Sequence, residues 1–146
     1  MLEIRHVLPA LMVLAFAGCS DSQDTNKRPV FPATGTVTYR GKPLVDATVR
    51  LHPLQEDDDD RPVWLPRGRV NSEGRFTLST YRTGDGAPAG EYRVSFSWQG
   101  PLKNISEDDQ DELPELMPKQ LTSPKHSNIT VVVAEGENEF APFDFN

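Results

Sequence analysis

The stretch EYRVSFSW, residues 91–98, decides the fold class of this chain of 146 residues. Every second residue in it is large and apolar, and the residues between them are arginine or serine. A period of two is typical of a β-strand that turns one face to a core and the other to water. The pattern therefore predicts a half-buried strand whose inward side chains are Tyr92, Val94, Phe96 and Trp98.

Six further segments have the character of short strands, with turn residues between them. The sequence NSEG (71–74) supplies turn chemistry between the third and fourth of these segments, so we expect a hairpin there. Short strands without a long helix predict an all-β fold, a single antiparallel β-sandwich of about seven strands. The six segments are TGTVTY (34–39), ATVRLHP (47–53), RGRV (67–70), RFTLST (75–80), NITVVVA (128–134) and EFAPFDF (139–145).

The net charge of -7 comes largely from two acidic segments, EDDDD (56–60) and EDDQDELPE (107–115). Within the long polar connection that contains the second one, SEDDQDEL (106–113) fits one or two helical turns. Ser106 is a suitable N-cap, and the acidic side chains stand at the positive end of the helix. An acidic chain repels the phosphates of nucleic acids, so we expect no nucleic-acid partner.

The amino terminus contains an apolar run, VLPALMVLAFA (7–17), that is too short to span a bilayer as a helix but has the length of a signal-peptide core. The polar sequence after residue 19 has no periodicity and contains two prolines, which is typical of a linker. The sequence predicts three parts: a signal peptide (1–18), a lipidated cysteine with a flexible linker (19–33), and a β-sandwich domain (34–146).

The residues FAGC (16–19) resemble the cleavage site of bacterial lipoprotein signal peptides, in which the cysteine is lipidated and becomes the first residue. The resemblance implies that Cys19 anchors the protein to a bacterial membrane, in the outer membrane or the periplasm-facing leaflet of the cell envelope. Acylation by more than one chain gives stable anchoring. The alternatives are a signal peptide without lipidation and a buried free cysteine.

Three segments carry a second resemblance: GTVTYRGKPLVDATVRLHP, GRVNSEGRFTLST and GAPAGEYRVSF. They resemble the carboxypeptidase regulatory-like domain, which has a transthyretin-like (prealbumin/Ig-like) sandwich fold. The later sequence, which ends in NITVVVAEGENEF, is similar to small lipoproteins of planctomycete-type bacteria. The shared motifs are turns and core positions, so they imply a fold rather than a chemistry.

Candidate ligand-binding residues are few. Trp64 stacks on a sugar if its ring is exposed, and the adjacent acids Asp57, Asp58, Asp59 and Asp60 offer hard oxygen ligands for calcium. The acidic run lacks the glycine and the spaced acids of an EF-hand loop, and a solvated loop is the simpler interpretation. We therefore predict no metal site and no cofactor.

The sequence thus favours a non-enzymatic, membrane-anchored lipoprotein of the cell envelope that acts as a structural or protein-interaction module. No nucleophile or ligand pair has a spacing that would give His52 or His126 a catalytic or metal-binding role. The alternative is a surface module that binds carbohydrate or calcium. Besides the membrane, the expected partners are an envelope protein or a polysaccharide.

Overall fold

The computed structural model describes residues 26–55, 63–110 and 112–146. The predictions for the signal peptide (1–18), for the lipidation of Cys19 and for the acids Asp57–Asp60 lie outside the described residues.

Strands make up nearly all of the regular structure in these ranges, and the two helices have four residues each. Neither helix of the described ranges has the length and apolar character that a bilayer span needs. The elements in chain order are β1 (Val30–Phe31), β2 (Ala33–Tyr39), β3 (Lys42–Pro43), β4 (Thr48–Pro53), β5 (Arg67–Arg69), β6 (Arg75–Thr77), β7 (Ala87–Pro88), β8 (Gly90–Ser97), α1 (Glu107–Gln110), α2 (Lys119–Thr122), β9 (Thr130–Val133), β10 (Asn138–Glu139) and β11 (Phe143–Phe145).

The first sheet has the order β5-β4-β8-β9, and all of its neighbours are antiparallel. In the pairing of β4 with β8, Val49 lies opposite Phe96 and Leu51 lies opposite Val94, and all four side chains are buried. The alternation predicted for residues 91–98 is thus confirmed from Tyr92 to Phe96. Trp98 is only partly buried, because it packs at the margin of the core after the strand has ended.

The second sheet is built around β2. Strands β3 and β6 pair with it antiparallel, whereas β10 and β11 run parallel to it. The all-β sandwich is confirmed, and its second sheet is mixed where a purely antiparallel one was expected. Residues 134–137 carry the chain from the first sheet to the second, so the last strands run beside β2 in its own direction. A further strand pair, β1 with β7, lies partly in the segment expected as linker.

Aromatic rings from both sheets fill the core. The ring of Phe96 meets those of Phe143 and Phe145 edge-on, with centroids 5.2 and 5.0 Å apart. Phe76 stacks against Phe140 and Phe143. Because three of these residues come from the last seven of the chain, the C-terminal strands close the sandwich over its aromatic centre.

The predicted turn between β5 and β6 is confirmed, but the two strands do not pair as a hairpin, because β5 belongs to the first sheet and β6 pairs with β2 in the second. The side-chain oxygen of Asn71 accepts hydrogen bonds from the backbone N–H groups of Glu73 and Arg75. Gly74 has a φ of +81°, in the left-handed region that glycine adopts without strain. The side chain of Asn71 therefore replaces backbone partners within the turn, as is common for asparagine.

The connection from β8 to β9 covers part of the outer face of the first sheet. Its first helix, α1, forms within the predicted segment, and Ser106 caps it by accepting a hydrogen bond from the N–H of Asp109. The second helix, α2, was not predicted from the sequence, and it packs against β8. Ser95, on the outer face of β8, is consequently only 4% exposed. The outer faces of β4, β5 and β6 remain uncovered by this connection.

Candidate functional site

The outer faces of β4, β5 and β6 line an open groove with a volume of about 690 Å³. Four arginine side chains line it, and most of the other lining residues carry a hydroxyl or an amide. All four arginines are exposed to solvent. In a chain with a net charge of -7, this is a local concentration of positive charge. The four residues are Arg50, Arg67, Arg69 and Arg75.

Strand register brings these arginines together. Arg50 of β4 lies directly opposite Arg67 of β5, and Thr48 lies opposite Arg69. An isolated bridge between Arg67 and Ser79 then joins β5 to the chain just after β6. Since successive side chains of a strand point to opposite faces, residues at every second position of β5 share the outer face. Gly68, between the two arginines, is buried.

The four guanidinium groups differ in their counter-charges. Arg69 forms an ion pair with Asp46 at 3.2 Å, and Arg75 lies 3.8 Å from a carboxylate oxygen of Glu139. In the part of the chain that the structure describes, no carboxylate lies within ion-pair distance of Arg50 or Arg67. Like charges directly opposite each other in an antiparallel pair are destabilising. Among the described residues, the centre of the groove thus has two positive charges without a counter-charge, an arrangement that suits an anion.

His52 lies on the same face of β4 as Arg50, two residues further along the strand. Its ring nitrogen Nε2 lies 2.8 Å from the hydroxyl oxygen of Ser95. Burial, and then the positive charge of Arg50, lower the pKa of His52 below its ordinary value of 6.5. The Ser95 hydroxyl lies beneath the connection that carries α2, so it is closed to a substrate. This pair thus packs the outer face of the sheet and has no access for nucleophilic chemistry.

Trp64 comes three residues before the start of β5, but it does not line the groove. Its indole is half exposed and meets the ring of Tyr81 edge-on, with centroids 5.8 Å apart. The hydroxyl oxygen of Tyr81 accepts a hydrogen bond from the backbone N–H of Arg28, and the ammonium of Lys27 lies 5.7 Å from the centre of the Tyr81 ring. The aromatic candidate from the sequence therefore belongs to a separate cluster around Tyr81.

The sequence prediction missed the arginine groove. Within the described ranges, no group of three histidine, cysteine, aspartate or glutamate side chains is arranged to hold a metal ion. The signal for the groove was present in the sequence, because Arg67 and Arg69 alternate with buried positions in a predicted strand. What the sequence lacked was the register that sets Arg50 opposite Arg67.

Comparisons with known proteins found a similar solved structure. No family model matches the chain, and no curated protein matches it. The crystal structure of a DUF3823 family protein from Parabacteroides merdae is similar over 81% of this chain and 46% of that one, with 17% sequence identity and a TM-score of 0.39. The chain therefore spans about half the length of this neighbour.

Proposed function

We propose that this protein is a non-enzymatic lipoprotein of a bacterial cell envelope whose β-sandwich binds an acidic segment of another envelope protein. The single observation that carries the binding role is the opposition of Arg50 and Arg67, which have no acidic partner among the described residues. A pair of like charges in this position is unfavourable by itself. An anion bound between the two guanidinium groups would turn the repulsion into two favourable contacts.

The chemistry of the groove favours carboxylates. A guanidinium group presents paired N–H donors that match a carboxylate, and such bidentate pairs are among the stronger hydrogen bonds in proteins. Hydroxyls of Thr48, Thr77 and Ser79 line the same groove and offer further donors. Among the described lining residues there is no aromatic ring on which a sugar would stack. We therefore favour an acidic protein segment over an acidic polysaccharide.

The proposal includes the anchor and the family suggested by the sequence. Lipidation at Cys19 is supported by the residues FAGC (16–19) and by the polar linker that follows them. Membership of the carboxypeptidase regulatory-like lipoproteins of planctomycete type is supported by the agreement between the motif positions and strands β2, β4, β6 and β8. We place the protein at the outer membrane or on the periplasm-facing leaflet, with its sandwich displayed in the envelope.

The anchor is tested by the intact mass of protein extracted from membranes, for the wild type and for Cys19→Ala. We expect a chain that begins at Cys19 and carries acyl mass, and we expect the variant to lose both the added mass and membrane retention. A soluble product without acyl mass would contradict the anchor.

The groove is tested with a fluorescently labelled oligoglutamate peptide. We expect the full chain to bind it with an affinity that falls as salt is raised, because the contact is ionic. The variant Arg50→Gln/Arg67→Gln removes two charge-assisted contacts and should weaken binding at least about tenfold.

The control variant Arg40→Gln/Lys42→Gln removes the same charge from the turn after β2 and the start of β3, outside the groove, and its affinity should stay within about twofold of the wild type. Equal weakening in both variants would show that binding follows overall charge and would contradict the groove. A galacturonate oligomer of matched charge that binds in place of the peptide would identify a polysaccharide ligand instead.

A further inference from the structure

The segment Val63–Trp64–Leu65 is an exposed apolar surface on an otherwise polar loop. The exposed fractions of these residues are 74%, 50% and 41%. Single exposed apolar residues are ordinary, but contiguous exposed apolar side chains mark contact surfaces. The neighbouring ring of Tyr81 enlarges this surface and gives it a polar edge through its hydroxyl.

This surface lies where the chain enters the domain from its amino terminus. The first described residues reach Tyr81 directly, through the backbone N–H of Arg28 and the ammonium of Lys27. Strand β1 follows at once and pairs with β7, just before the first residue of β8. The apolar segment and the linker therefore share one end of the sandwich.

The length of the linker sets how far this end stands from the proposed anchor. Asn26, the first described residue, follows Cys19 by seven residues. A fully extended chain covers at most about 3.3–3.6 Å per residue, so Asn26 lies within about 25 Å of the acylated cysteine. This end, called the entry end below, is thus held within about 25 Å of the anchor, and the far end of β8 lies about one strand length from the entry end.

We infer that the segment 63–65, together with Tyr81, rests in the interfacial region of the bilayer that holds the anchor. The inference depends on the proposed lipidation of Cys19. Tryptophan and tyrosine favour the interface between hydrocarbon and water, because their rings are apolar and their N–H or O–H groups stay hydrated. The ammonium of Lys27, 5.7 Å from the centre of the Tyr81 ring, adds a positive charge at the edge of this surface.

Seating of this kind fixes the orientation of the domain as well as its position. An acyl anchor seven residues before Asn26 limits the distance of the sandwich from the membrane but does not by itself fix its orientation. A second contact at residues 63–65 holds the entry end down and directs the opposite end, where β8 finishes, into the envelope space.

The experiment measures quenching of tryptophan fluorescence by lipids with brominated chains. The acylated full-length mature protein is reconstituted in neutral phosphatidylcholine vesicles, because the acids of residues 56–60 in the same loop would repel anionic headgroups. The chain has two tryptophans. Trp98 serves as an internal reference because it directly follows the last residue of β8, away from residues 63–65. Its indole N–H donates a hydrogen bond to the backbone carbonyl of Val45 there.

We expect quenching in the wild type and its loss in Trp64→Phe, which retains a ring against Tyr81. The variant Val63→Ser/Leu65→Ser should reduce quenching at least about fivefold, since it removes the apolar side chains that insert. The matched control Leu116→Ser/Val132→Ser removes side chains that are 53% and 62% exposed elsewhere on the domain, and it should leave quenching within about twofold.

Failure of the anchor and failure of the seating surface give different results. If the intact mass shows no acyl group, the purified chain is coupled through Cys19, its single cysteine, to a maleimide lipid in the same vesicles. Quenching of Trp64 in that preparation supports the seating surface although the natural anchor has failed. The inference is overturned by an unquenched Trp64 in an anchored chain, or by equal loss in both double variants. A shift of Trp64 emission by soluble polysaccharide without bromolipid quenching also overturns it, in favour of sugar binding.

Discussion

Strands β4 and β5 pair side by side, and their two faces meet different physical constraints: the inner face is packed against the core, and the outer face carries exposed charge. On the inner face, Val49 and Leu51 are fully buried against β8, and Gly68 has no room for a larger side chain. A Cβ atom on Gly68 would lie 2.7 Å from the carbonyl oxygen of Thr77. On the outer face, Arg50 and Arg67 stand opposite each other in solvent.

The difference shows which residues serve stability and which require another explanation. Packing accounts for the inner face, because each buried apolar side chain there contributes to the free energy of folding. The outer pair of arginines has no acidic partner among the described residues, and the repulsion between like charges opposite each other does not favour folding. The proposed anion would offset this repulsion, and for this reason we propose the binding role for the outer face.

The largest expected effect is on the inner side. Phe96 is almost completely buried and meets two aromatic rings of the C-terminal strands edge-on. We expect Phe96→Ala to lower the free energy of unfolding by about 3–5 kcal/mol, because it leaves a cavity at the centre of the core. Urea unfolding followed by circular dichroism measures this. The exposed control Val132→Ala should stay within about 0.5 kcal/mol of the wild type, and a similar loss in both variants would contradict the assigned core.

A smaller effect of opposite sign is expected on the outer face. Arg67→Thr relieves the repulsion from Arg50 and places a β-branched residue in a strand, so the free energy of unfolding should rise by about 0.2–1 kcal/mol. The comparison is Arg69→Thr in the same strand, which breaks the ion pair with Asp46 and should give no such gain. If Arg67→Thr destabilises the fold as much as Arg69→Thr does, then the description of an unsatisfied groove is wrong.

The smallest effect is a pH dependence at the edge of the groove. The pKa of His52 is lowered in the folded state by burial and by Arg50, so the unfolded state binds its proton more readily. Stability from this residue is therefore complete above the ordinary value of 6.5 and is lost as the pH falls through that value towards the lower folded pKa.

This pH dependence is measured as the difference in unfolding free energy between about pH 7.5 and about pH 5.5, a range above the titration of most carboxylates. His52→Gln should reduce the difference, because it removes the group whose proton the unfolded state binds more readily. An identical difference in the wild type and in His52→Gln would contradict the lowered pKa.

Local patterns in the sequence predicted the longer strands and α1 but not α2 or the two-residue strands β1, β3 and β7. Alternation in EYRVSFSW predicted the inward side chains of β8, Asn71 predicted the turn before β6, and Ser106 predicted the start of α1. Each of these features depends on residues within a few positions of one another, and the periodicity of two or the chemistry of one cap is sufficient to specify it. Trp64 was likewise a candidate from the sequence, as a ring that stacks on a sugar if it is exposed.

Only the tertiary structure decided which of these elements meet. The parallel pairing of β10 and β11 with β2 joins residues that are about a hundred positions apart in the chain. The opposition of Arg50 and Arg67 depends on strand register across a long loop, and a shift of one residue would move an arginine to the other face. The contact of the entering chain with Tyr81, and of Tyr81 with Trp64, also joins distant segments. Local sequence determined the strands, and long-range packing determined where their side chains converge, because convergence depends on all of the pairings at once.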